Sequence, residues 1–128
     1  MNRLSKKDGH ILLTTLLVYA VNRFYLKSTI DVPFLSYFLH CHFNDLLGGI
    51  CFLSYTNFIL SHSIYNVRIN SFIPATIIML ICGIAWEYVF PVLYPRGTAD
   101  PLDIVAYVGG GILYIFIAKY MHLELMRD

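Results

Sequence analysis

Two long, almost uncharged apolar runs constrain this chain more than any other feature. Phe72 to Phe90 reads FIPATIIMLICGIAWEYVF, and Leu102 to Ala118 reads LDIVAYVGGGILYIFIA. A bilayer core is about 30 Å thick and is crossed by about 20 apolar helical residues. Two further segments approach that length. Ile11 to Leu26, ILLTTLLVYAVNRFYL, is interrupted by Asn22 and Arg23. Leu46 to Leu60, LLGGICFLSYTNFIL, is short unless it extends upstream into FLSYFLHCHFND. None of the four alternates in polarity as a barrel strand does. A helix satisfies its own backbone in lipid, so helices are expected. The expected fold is an all-α integral membrane protein, a bundle of about four transmembrane helices. Phe34 to Phe43 is either an upstream part of the second helix or a separate interfacial or re-entrant helix before it. Composition agrees, with 58% of the 128 residues hydrophobic and 13% charged. Soluble domains run about 45–50% and about 25%. No repeat, biased tract or linker divides the chain, so residues 1–128 read as a single transmembrane helical domain.

The N-terminal segment resembles a signal peptide, with basic MNRLSKK, an apolar run and Val18-Tyr19-Ala20 as a cleavage-like site. Apolar residues continue through Leu26, which fits an uncleaved anchor better. Orientation follows from Lys and Arg near the helix ends. Arg3, Lys6, Lys7, Arg68, Lys119 and Arg127 fall on one side, and Arg23, Lys27 and Arg96 on the other. This bias places both termini in the cytoplasm. The segments HCHFND and WEYVFPVLYPRGTADPLDIVAY then meet at the outer leaflet. Cys41, Cys51 and Cys82 form no C-x-x-C pair and no even framework, and read as small buried apolar residues.

Chemistry concentrates in those two outer segments. In DPLD, Asp100 suits a helix N-cap, Pro101 the first helical position and Asp103 the third. Asp100 is expected to accept an amide bond from the first turn, and Asp103 to reach back as in a capping box. Glu87 lies near the outer end of the third helix. It is either an interfacial acid touching water or an inward-facing partner of Arg96, with Pro91 and Pro95 ending the helix and Gly97 turning the chain back. His42 and Asp45 share a helical face, as do His40 and Asn44. Histidine with an acid can ligate a metal. The H-x-H spacing alone makes no ligand set, so a polar contact between helices is expected, with no metal and no cofactor. Gly48-Gly49 and Gly109 to Gly111 read as close-packing positions. No phosphate loop, nucleophile elbow or zinc-protease motif is present. The net charge of +1 gives no reason to expect a nucleic-acid partner.

Glu87, Arg96, Asp100 and Asp103, followed by YVGGGILY, resemble the C-terminal motif of the VanZ-like family of small bacterial membrane proteins. HFNDLLGGICFLSY is similar to that family's earlier histidine-phenylalanine segment, with His42 matching. Phe90 stands where the family often has glutamine, and Tyr107 where it often has asparagine. The usual aspartate-lysine before the histidine is absent. The resemblance implies a multi-pass protein of the bacterial plasma or inner membrane, connected with the cell envelope and with low-level teicoplanin-type resistance. It supplies no catalytic mechanism. Residues and resemblance together point to an outer-leaflet polar site of Glu87, Arg96, Asp100, Asp103, His42 and Asp45. The expected partners are membrane lipids and a lipid-linked or glycan headgroup, with homo-oligomers left open. The alternatives are a membrane-embedded hydrolase or transferase on a lipid-linked substrate, with Glu87 or Asp103 as base, and a small transporter or partner subunit.

Overall fold

A computed structural model of the chain describes residues 3–65, 67–94 and 99–125, with side chains through Met121. All regular secondary structure among the described residues is helical. Helix α1 (Arg3–Val21) runs on through a π-helical turn, Asn22–Leu26, and ends in Lys27–Thr29. Helix α2 is Pro33–Cys41, α3 is Phe43–Leu60, and α4 is Phe72–Ile84. Helix α4 continues through a second π turn, Ala85–Val89, into Phe90–Leu93. Helix α5 is Pro101–Leu125. Of these, Phe72–Leu93 and Pro101–Met121 are long and apolar enough to cross a membrane.

Several polar residues are buried in the bundle while many large apolar side chains lie exposed. On α1 the buried positions are Ser5, Asp8, Ile11 and Thr15, with Asn22 next on the same stripe. Their spacing of three, three, four and seven traces one helical face. Most of that face is polar, while Leu13, Leu17 and Val21 lie exposed on the outside. Helix α3 buries Leu47, Gly49, Ile50 and Leu53 together with Ser54 and Asn57, while Phe52, Tyr55 and Ile59 face out. On α4, Glu87 is buried and Ile73, Ile77 and Ile81 are exposed.

Helix α3 is central. It packs against α1 on one side and α5 on the other, and α5 packs in turn against α4. Ile11, Leu47, Ile50, Leu53, Ala75, Met79, Tyr114 and Ile115 form the apolar core. Glycine sets the α3–α5 spacing. A Cβ on Gly49 would strike the Tyr107 carbonyl, and one on Gly110 would strike the Leu46 carbonyl. A Cβ on Gly111 would stand 2.6 Å from Met79 Cγ, but one on Gly109 would meet nothing within 4 Å. Close packing therefore uses Gly49, Gly110 and Gly111, and Gly109 is not part of it.

The structure decides one alternative that the sequence left open and departs from the sequence expectation at two other points. The segment before α3 is a separate helix. Pro33 opens α2 at its first turn, and His42, at φ −119° and ψ −20°, breaks the chain before α3. His40 and Asn44 therefore sit on different helices and share no face. His40 Nδ1 meets the Ser36 carbonyl, while Asn44 Oδ1 accepts from Asn22 Nδ2 at 2.9 Å. Nor does Pro91 end α4. It lies inside the final Phe90–Leu93 segment, directly after the π turn. A proline removes one helical hydrogen bond and crowds the carbonyl four residues back, here that of Glu87. The wide turn Ala85–Val89 contains that carbonyl, so the chain widens there and carries on.

Candidate functional site

Polar side chains gather at both ends of the bundle. At the first end, the start of α1 meets the α3–α4 connection and the end of α5. Asp8, with 0% exposure, takes a two-pronged bond from Arg68, at 2.6 Å and 2.7 Å. Tyr114 donates its hydroxyl to Asp8 at 2.6 Å and accepts from Asn57 Nδ2 at 2.7 Å. Asn57 also clamps the backbone of Ile69, donating to its carbonyl and accepting from its amide, each at 2.8 Å. Lys7 Nζ donates to the Met121 carbonyl. Burial pushes the Asp8 carboxyl up from its ordinary value, while the Tyr114 and Arg68 bonds pull it back. Asp8 and Asn57 have their acceptors and donors occupied here, so this end is a lock that ties the connection onto three helices. None of its members was singled out from sequence as a site residue. The available signal was the presence of Asn57 inside an apolar helix and of one acid among the basic residues that precede the first run.

The second end holds the residues expected to form a site. Asp100 caps α5 as its sequence predicts, accepting the Leu102 amide at 2.9 Å. Asp103 does not reach back to complete a capping box. Instead its Oδ1 lies 2.8 Å from His42 Nδ1, with side-chain exposures of 20% and 12% for the two residues. The reason lies on α4. Asp100's own amide, which a capping box would satisfy from Asp103, donates to Glu87 Oε2 at 3.1 Å. Glu87 takes the reciprocal role from another helix and frees Asp103 to face His42. Glu87 is 8% exposed, so it faces inward rather than touching water at the interface. Arg96, its expected partner, lies outside the described residues, as do Pro95 and Gly97.

Asp45 joins the group from the first turn of α3. Burial pushes its carboxyl up from the ordinary value, the Tyr107 hydroxyl opposes that rise, and the neighbouring Asp103 adds to it. Among the described residues, His42, Asp100 and Asp103 are the set whose donor atoms converge, all within 4.8 Å of one another. Among the described residues, neither His42 Nε2 nor Asn22 Oδ1, both buried, has a hydrogen-bond partner. Asn22 uses its amide nitrogen on the Leu39 carbonyl and on Asn44, so both orphaned atoms belong to the α2–α3 joint.

An apolar groove of about 460 Å³ runs beside this cluster, lined by Gly48, Phe52, Met79, Cys82, Trp86 and Tyr107 among others. Tyr107 belongs to both, since it walls the groove while its hydroxyl acts on Asp45. No protein-family model matches the chain, and comparison with curated proteins and with solved structures gives no match either.

Proposed function

We propose that this chain is a multi-pass membrane protein that binds an amphiphile with a hydroxyl-rich, glycan-type head. The tail lies in the apolar groove and the head against His42, Asp45, Asp100 and Asp103. One observation carries this reading: Tyr107 forms part of the groove wall and of the polar cluster, so a single molecule reaches both. Carboxylates accept hydrogen bonds from sugar hydroxyls, whereas they repel a phosphate head. Support for membrane placement comes from the two helices long and apolar enough to cross a membrane and from the exposed apolar faces of α1, α3 and α4, where lipid would replace water as the outer solvent. In this reading four helices cross, both termini are cytoplasmic, and the site opens at the outer leaflet, as the Lys and Arg bias suggests. Glu87, Asp100, Asp103 and His42, the described residues of the VanZ-like resemblance, lie at this end, which favours a cell-envelope role of that kind in a bacterial plasma membrane.

A second reading has one observation in its favour. In the His42–Asp103 pair, Asp103 holds the ring and Nε2 is left without a partner. That is the arrangement of a general base oriented by an acid, as a membrane-embedded hydrolase or transferase requires.

Trp86, the single tryptophan, lines the groove and reports on its occupancy. A glycosyl-diacylglycerol with brominated acyl chains should quench Trp86 at a lower mole fraction than brominated phosphatidylglycerol does. The preference should disappear in Asp103→Asn. Equal quenching by both lipids, unchanged in Asp103→Asn, means contact with bulk lipid only and defeats the proposal.

A further inference from the structure

We infer that His42, Asp100 and Asp103 form a binding site for a divalent cation of the manganese–zinc class. It uses three residues of the cluster to which the head was assigned, so it deepens that reading, and metal binding is measured without any amphiphile. Its ligands come from two separate places, the α2–α3 joint and the start of α5, and their donor atoms lie within 4.8 Å of one another. Metal–ligand distances of about 2.0–2.2 Å put two donors on opposite sides of one ion about 4.4 Å apart. Small side-chain rotations close the difference.

Charge points the same way. Glu87 bonds the Asp100 amide and Asp45 neighbours Asp103, so four carboxyl groups gather at this end of the bundle with one imidazole. Among the described residues, no lysine or arginine forms an ion pair with any of the four. His42 Nδ1 lies at the Asp103 oxygen, and Nε2 is buried without a partner among the described residues.

The donor set selects the ion. It holds no thiolate, which argues against copper(I) and iron–sulfur chemistry. Calcium takes six to eight oxygens, and magnesium prefers oxygen ligands in octahedral geometry. One imidazole with two carboxylates suits manganese(II) or zinc(II), with the remaining positions open to water or to hydroxyls.

The test uses the purified full chain in detergent with manganese(II) alone, following free metal by electron paramagnetic resonance, and then zinc(II) as competitor. The expected result is one saturable manganese per chain, displaced by zinc. Asp100→Asn keeps the helix cap, because asparagine caps as well as aspartate. It and Asp103→Asn should each weaken binding at least about tenfold, as changes around metal sites do. Melting curves that match wild type exclude misfolding as the cause. No saturable binding by the wild-type chain overturns the inference, and so does unchanged affinity in both variants. Binding that emerges only in Arg96→Gln overturns it as well, because the arginine then fills the place of the ion.

Discussion

Alanine in place of Gly110 and of Gly109 makes a controlled pair. The two residues are adjacent on α5, and each change adds one methyl group. Both also gain the same helix propensity, about 0.8–1.0 kcal/mol for alanine over glycine. Their surroundings differ. At Gly109 the new methyl meets nothing within 4 Å. At Gly110 it runs into the Leu46 carbonyl and stands 3.1 Å from Gly49 Cα. Both obstacles are backbone, so no side chain can rotate out of the way. Carbon atoms pack at about 3.5–4.0 Å, so the Gly49 contact alone parts α3 and α5 by roughly half an ångström or more, and the closer Leu46 carbonyl requires a larger shift. Overpacking of this kind typically costs about 1–3 kcal/mol. The difference between the two variants cancels the propensity gain and isolates that cost. Equilibrium unfolding in mixed detergent micelles should therefore place Gly110→Ala about 1–3 kcal/mol below Gly109→Ala. Gly49→Ala should behave like Gly110→Ala, because its methyl meets the Tyr107 carbonyl across the same contact. A gap between Gly109→Ala and Gly110→Ala under about 0.5 kcal/mol, the scatter of ordinary surface changes, would refute the glycine contact as the determinant of helix spacing.

At the opposite end, Arg68→Gln leaves the buried Asp8 carboxylate without its guanidinium and should cost about 3–5 kcal/mol. Asp8→Asn combined with Arg68→Gln should recover part of that loss, and a double-mutant cycle that comes out additive within about 0.5 kcal/mol would show the pair to be uncoupled. For topology, single cysteines at Ile64 and Ala99, both exposed, should label from opposite sides in a background without native cysteines. Position 99 should react from outside the cell, and reaction there by position 64 instead would invert the proposed orientation.

The sequence made legible whatever depends on neighbours in the chain. The two apolar runs became α4 and α5, and DPLD marked the start of α5 through Asp100 and Pro101. Features that depend on partners far along the chain were not legible. His42 and Asp103 are 61 residues apart, and Asp8 and Arg68 are 60 apart. No spacing rule joins them, because the bundle and not the local helix brings them together. Pro91 misled for a related reason. Proline reads as a helix stop, and the π turn that absorbs it is a property of how α4 packs.

The buried polar residues divide by whether their bonds are complete, and this division separates architecture from function. Ser54 closes onto its own helix, at the carbonyls of Ile50 and Cys51. Asp8 and Asn57 are fully engaged in the lock with Arg68, Tyr114 and Ile69. In an apolar surround such groups are stable only because each has a partner, and a change to any one mainly weakens the fold. Asn22 and His42 are different, since each keeps a buried polar atom without a partner among the described residues. An unpaired group of that kind costs about 1–3 kcal/mol, so its retention calls for a reason outside folding. Asn22 packs against the α2–α3 joint from the π turn of α1, and His42 lies in the joint itself, beside Asp45, Asp100 and Asp103. An occupant at that joint, whether a cation or a head hydroxyl, offsets the cost, whereas none is needed at the Asp8 end. The search for activity therefore belongs at the joint, and variants of the Asp8 lock serve as controls for stability alone.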